Sequence, residues 1–97
     1  MFKKLMQLLF GSSNDEELRR ILSENHYLID VRTESEFKSG SVKGAINIPL
    51  GLLNSQLDKL KNKQNIIVFC ASGMRSAQAK NILSKNGINS INIVSAL

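Results

Sequence analysis

The chain of 97 residues has one cysteine, one proline, one histidine, one tyrosine and no tryptophan. A single cysteine excludes an internal disulfide, and it excludes zinc sites of the Cys₄ and Cys₂His₂ kinds. Aromatic residues are only 5% of the chain, and its thirteen lysines and arginines are spread rather than massed. Stacking platforms for single-stranded nucleic acid are therefore scarce, and no nucleic-acid partner is expected. No apolar run is long enough to cross a bilayer. The length leaves no room for two hydrophobic cores. No internal repeat or low-complexity tract appears.

What is present is an ordinary globular balance, with 42% apolar and 22% charged residues and a net charge of +5. The positive charge permits anionic partners and keeps a solvated surface soluble. The apolar start, Phe2 to Phe10, is short, is interrupted by Gln7 and leads into Gly11-Ser12-Ser13, a poor cleavage site. A lone cysteine without a secretion signal suits a reducing cytosol, so a cytoplasmic location is expected. Phe2, Leu5, Met6 and Leu9 recur at helical spacing, which predicts an amphipathic helical segment over residues 1–12. That segment packs on its own domain, meets a second copy, or lies against a membrane surface; the sequence leaves these three open. Residues 13–97 form the main domain.

Ser13 with Glu16, or Asn14 with Glu17, fits a capping box, and a helix to about Glu24 should bury Leu18, Ile21 and Leu22. Tyr27–Val31 is a short apolar run of the kind found in strands buried on both faces. Thr33 and Glu36 make another capping box, for one or two turns ending near Gly40. A short strand over Ala45–Ile48 is stopped by Pro49. A helix is predicted over Leu52–Lys61, and the strongest strand over Asn65–Phe69. A helix from Arg75 to Asn86 should carry Ala79, Ile82 and Leu83 inward and stop at Gly87, and a last strand covers Ile91–Val94. Alternating strands and helices argue for an α/β domain with a parallel sheet, helices on both faces and right-handed crossovers. Ligand sites in such domains lie beyond the carboxyl ends of the strands.

Two polar segments leave strand ends: Asp30-Val31-Arg32 and Cys70-Ala71-Ser72-Gly73-Met74-Arg75-Ser76. The second joins the best strand to the best helix. Gly73 allows a positive φ, so successive N–H groups can turn inward, and the next helix aims its positive end at the same spot. A thiol there ionises more easily, helped by the loop amides and by Arg75. The sequence also allows a plain strand-to-helix turn with a buried cysteine and a surface arginine. His26 lies at the wrong end of its strand to be a general base, so no Cys–His dyad is available. Asp30 is either an orienting partner for the loop or a structural acceptor. Arg32 either binds an anionic donor or pairs with Glu36 or Asp30, and Met74 either shields the bowl or packs inward.

These residues resemble the rhodanese-like family. Asp30-Val31-Arg32, Glu36-Phe37, Gly40, Gly44-Ala45, Asn47-Ile48-Pro49 and Cys70 to Ser76 follow its motifs in order and spacing over about Tyr27 to Val94. The resemblance implies a three-layer domain with a parallel sheet of four to five strands. It also implies sulfur transfer through a persulfide on Cys70, cradled by Ala71, Ser72, Gly73, Met74, Arg75 and Ser76 and supported by Asp30 and Arg32. A small sulfur-containing anion such as thiosulfate, or a protein persulfide, would donate; a thiol or cyanide would accept. Neither a metal nor an organic cofactor is implied. Related phosphatases on the same fold carry one more residue between cysteine and arginine; here Cys70 and Arg75 are five positions apart, which favours a single sulfur atom over a phosphate. The chain departs from the family at Ser41-Val42, where His-Ile is frequent. It departs again at Ala71, where a charged residue is frequent, and at the end, Ser95-Ala96-Leu97, where the family carries a Gly-Gly turn and a helix. The usual first strand is not legible. Ala71, the short C-terminal end and the apolar N-terminal helix, which could recruit a protein partner, favour a second reading, a low-activity module for sulfur delivery or protein binding.

Overall fold

A computed structural model describes residues 15–93, with side chains from Arg19 onward. The predicted helix over Phe2–Phe10, the capping residues Ser13 and Asn14, the inward side chain of Leu18 and the strand end at Val94 lie outside the described residues.

Helix α1 (Asp15–Ser23) precedes β1 (Tyr27–Asp30), α2 (Glu34–Ser39) and the two-residue strand β2 (Ile46–Asn47). A 3₁₀ segment (Leu50–Gln56) runs into one turn of α-helix, α3 (Leu57–Leu60), followed by β3 (Ile66–Phe69), α4 (Met74–Lys85) and β4 (Ser90–Ile93). All pairings are parallel, in the order β2-β1-β3-β4. The sheet thus has four strands among the described residues.

The two central strands are the apolar runs of the sequence, because a strand covered on both faces needs apolar side chains in both directions. All four residues of β3 are buried. Ile67 and Phe69 join Ile21, Leu22, Leu28, Val42 and Ile93 on one face. Ile66 and Val68 join Ile29, Val31, Ile48, Leu53, Leu60, Ala79 and Leu83 on the other. Side chains alternate along a strand, so Cys70, the next residue in that series, continues the second face, toward α4. Each fully buried Leu or Ile contributes about 1.5–3 kcal/mol relative to exposure.

Local signals hold in detail. Thr33 and Glu36 form both arms of a capping box, and Gly87 adopts a left-handed φ of 76° after α4. One element differs. The helix expected over Leu52–Lys61 is mostly a 3₁₀ segment, and it starts earlier, directly after Pro49. The amide of Leu52 donates to the Pro49 carbonyl at 2.8 Å, and the Ser55 hydroxyl donates to the Leu52 carbonyl at 2.7 Å. Such short-range bonds compete with the regular α pattern. Ile82 is only partly buried, whereas Ala79 and Leu83 are covered completely.

Candidate active site

The carboxyl ends of β1, β2 and β3 meet at one edge of the domain, and three loops leave from them. Strand β3 delivers Cys70 into the first of these. Its residue is 0% exposed. Gly73, at the N-cap of α4, takes φ 92° and ψ −15°, a left-handed conformation natural to glycine. This bend folds the loop back over the sulfur. The Gly73 amide donates to Cys70 Sγ at 3.0 Å and the Ser76 amide at 3.3 Å. Ser76 Oγ lies 3.5 Å from Sγ, and its hydroxyl donates to the Gly73 carbonyl at 3.2 Å.

Burial alone would raise the thiol pKa. The Ser76 hydroxyl and amide, with the amides of Ser72 and Gly73, more than offset it, so Cys70 sits below its ordinary value. The positive end of α4 acts in the same sense. The loop is therefore built to hold negative charge on the sulfur, or on an atom attached to it, chiefly by dipoles, with a coulombic contribution from Arg75.

Arg75 is paired with Glu36, and its charge also interacts with that of Cys70. Its NH1 and NH2 donate to Glu36 Oε1 and Oε2 at 2.7 and 3.1 Å. The guanidinium holds the Glu36 carboxyl far below the usual carboxylate range, at about 2, with help from the Thr33 amide. Glu36 in turn raises Arg75 above its ordinary value. Glu36 is the residue that sequence reasoning left out of the site. Its signals were the capping box and the family motif, but neither indicated a contact with a loop 39 positions away.

Asp30 and Arg32 form the second ion pair, which is buried. Arg32 Nε donates to Oδ1 and Oδ2 of Asp30 at 3.0 and 3.1 Å, and NH2 donates to Oδ2 at 2.8 Å. Oδ1 also accepts the Arg32 amide, and Oδ2 the Ser41 hydroxyl at 2.7 Å. Arg32 NH2 further donates to the Gly40 carbonyl, and Asn47 Nδ2 donates to the carbonyls of Asp30 and Arg32. Of the two alternatives for Arg32, the structure has the ion pair, with Asp30 as partner. Asp30 accepts and braces. Ser41, which stands where the family often has histidine, completes this brace.

The remaining predicted cradle residues divide by exposure. Ala71 and Ser72 are exposed, Ser76 is buried, and Met74 is 72% exposed, so it lies at the rim and not in the core. His26 lies before β1, away from Cys70 in the fold, and its Nδ1 lies 3.0 Å from the Glu24 carbonyl oxygen, which can only accept. Among the described residues no three His, Cys, Asp or Glu side chains cluster as a metal site, and no helix is long and apolar enough to cross a membrane.

Known proteins resemble this chain in sequence and in fold. The family model described as the rhodanese-like domain matches residues 14–96. The uncharacterised protein YqhL of Bacillus subtilis is 38% identical over 64 residues, covering 66% of this chain and 51% of YqhL. The thiosulfate sulfurtransferase PspE of Escherichia coli is 36% identical over 69 residues, covering 69% of this chain and 65% of PspE. The chain thus spans about half the length of one curated relative and less than two-thirds of the other. Among solved structures, the human single-domain sulfurtransferase TSTD1 superposes with a TM-score of 0.71 at 32% identity, covering 84% of this chain and 87% of that one.

Proposed function

The chain belongs to the rhodanese-like domain family, and on that premise we propose that it moves a sulfane sulfur from a donor to a thiophilic acceptor through a persulfide on Cys70. The observation that carries this reading is the convergence of the Gly73 and Ser76 amides on a single sulfur, at 3.0 and 3.3 Å.

The chemistry balances without a cofactor. The Cys70 thiolate attacks the outer sulfur of thiosulfate. A new S–S bond forms, the old S–S bond breaks, and sulfite leaves with the electron pair. The persulfide now carries the negative charge, and the loop amides from Ala71 to Ser76 are the donors available to it. Cyanide or a thiolate then attacks the terminal sulfur. The Cys70 S–S bond breaks, its electron pair returns to Cys70, and thiocyanate or a new persulfide departs. Ser76 acts as an adjustable donor. Its hydroxyl is within reach of both the Gly73 carbonyl and the sulfur, and it can rotate toward Sγ when the thiol loses its proton.

Thiocyanate production from thiosulfate and cyanide tests the reading. Cys70→Ala should abolish turnover with the fold retained; turnover that survives this change rules out Cys70. A second reading, a sulfur-delivery module with little activity on small donors, is favoured by the full burial of Cys70 and by the pairing of Arg75 with Glu36. Intact-mass measurement separates the two. A stable extra sulfur on Cys70 with negligible thiosulfate turnover supports delivery.

A further inference from the structure

The two arginines of the site loops are each held by a carboxylate of their own: Arg32 by Asp30, Arg75 by Glu36. The second pair is the one that solvent reaches, with side chains 34% and 37% exposed. Glu36 is fixed from behind as well. Its Oε1 accepts the Thr33 amide at 3.2 Å and the Thr33 hydroxyl at 3.1 Å, in addition to Arg75. The carboxylate that holds Arg75 is also one of the two arms of the cap of α2. An arriving solute therefore meets a neutral pair beside a rim of Ala71, Ser72 and Met74, none of which carries charge. All donors that reach Cys70 Sγ come from the loop itself.

We propose that Glu36 is a specificity-determining residue: it masks the Arg75 cation, so the site selects sulfane-sulfur donors of low charge over small anions such as thiosulfate. This inference takes its biological meaning from the sulfur-transfer reading above, but the mask is measurable without any sulfur transfer. Glu36→Gln keeps the side-chain shape and an acceptor oxygen for Thr33 while removing the charge. Arg75 is then left as an uncompensated cation at a rim that solvent reaches, where a charge several ångströms away changes rates roughly three- to tenfold at low salt.

The chain has one cysteine, so alkylation reads the site alone. Rates with anionic iodoacetate and neutral iodoacetamide are measured on the wild type, Glu36→Gln and Glu36→Gln/Arg75→Gln. The iodoacetate-to-iodoacetamide ratio should rise about three- to tenfold in the single variant, fall back as salt shortens the Debye length, and return to the wild-type value in the double variant. An unchanged or lower ratio in Glu36→Gln overturns the mask. Should that variant not fold, the wild type decides: a ratio flat in salt supports a masked arginine, and one that falls steeply with salt overturns it. Persulfide formation from thiosulfate, read by intact mass, is the parallel arm. Faster formation in Glu36→Gln supports the mask. A shifted alkylation ratio with no persulfide from any donor supports the mask and refutes sulfur transfer.

Discussion

Replacing Ser76 by alanine isolates the side-chain part of the thiolate cradle. Ser76 is fully buried, and its hydroxyl is the largest of the contributions that lower the Cys70 pKa. The substitution leaves the Ser76 amide bond to Sγ in place and removes only Oγ, which lies 3.5 Å from the sulfur. A hydrogen bond to a charged group is worth about 1.5–3 kcal/mol. The distance here is long even for sulfur, so the lower end applies, and about 1.4 kcal/mol corresponds to one pH unit. Ser76→Ala should therefore raise the thiol pKa and cut the rate of alkylation at neutral pH by up to about tenfold. Loss of the bond to the Gly73 carbonyl adds a stability cost of about 0.5–1.5 kcal/mol. The assay is the rate of iodoacetamide alkylation against pH, with thiolate absorbance as a second probe. Linkage gives an independent check. A thiol whose folded pKa lies below its unfolded value, roughly 8.5, stabilises the fold in the ionised form. That stabilisation is complete above the unfolded value and is lost as pH falls through the folded one. Unfolding free energy of the wild type should thus rise with pH across that window, and the rise should be smaller in Ser76→Ala. An alkylation midpoint that does not move, in a variant that remains folded, refutes the cradle as the source of the thiolate.

Gly73→Ala places a side chain at φ 92°, which costs about 1–2 kcal/mol and should lower Tm by several degrees while slowing alkylation of Cys70; an unchanged Tm refutes the strain. Asp30→Asn leaves Arg32 charged and buried without its carboxylate. It should cost about 3–5 kcal/mol in urea unfolding, and a loss under about 1 kcal/mol would show that Ser41 and Gly40 suffice to satisfy the site. The Glu36 carboxyl should titrate at about 2 by NMR and return toward roughly 4.3 in Arg75→Ala. Because its folded value is depressed, the stabilisation from this group is present above roughly pH 4.3 and lost only as pH falls through about 2. A wild-type midpoint near the ordinary value contradicts the bidentate pair.

What the sequence determined by itself was short-range. Thr33 and Glu36 cap α2 because they stand three positions apart, and Tyr27–Asp30 and Ile66–Phe69 become buried strands because nothing in them is content with water except the final aspartate. Cys70 reaches the site edge because the apolar run ends there and a glycine follows three residues later. Competition among equally local bonds blurred the segment after Pro49, where a 3₁₀ path replaced the expected helix.

Only the tertiary structure decided which charges meet. The sequence left Arg32 free to choose between Asp30 and Glu36. The fold gives Asp30 to Arg32 and reserves Glu36 for Arg75, 39 positions away. Parallel pairing of β1 with β3 sets their carboxyl ends side by side, so loops distant in the chain share one edge. Partners across such a gap are chosen by crossover geometry, and no spacing within either loop encodes it.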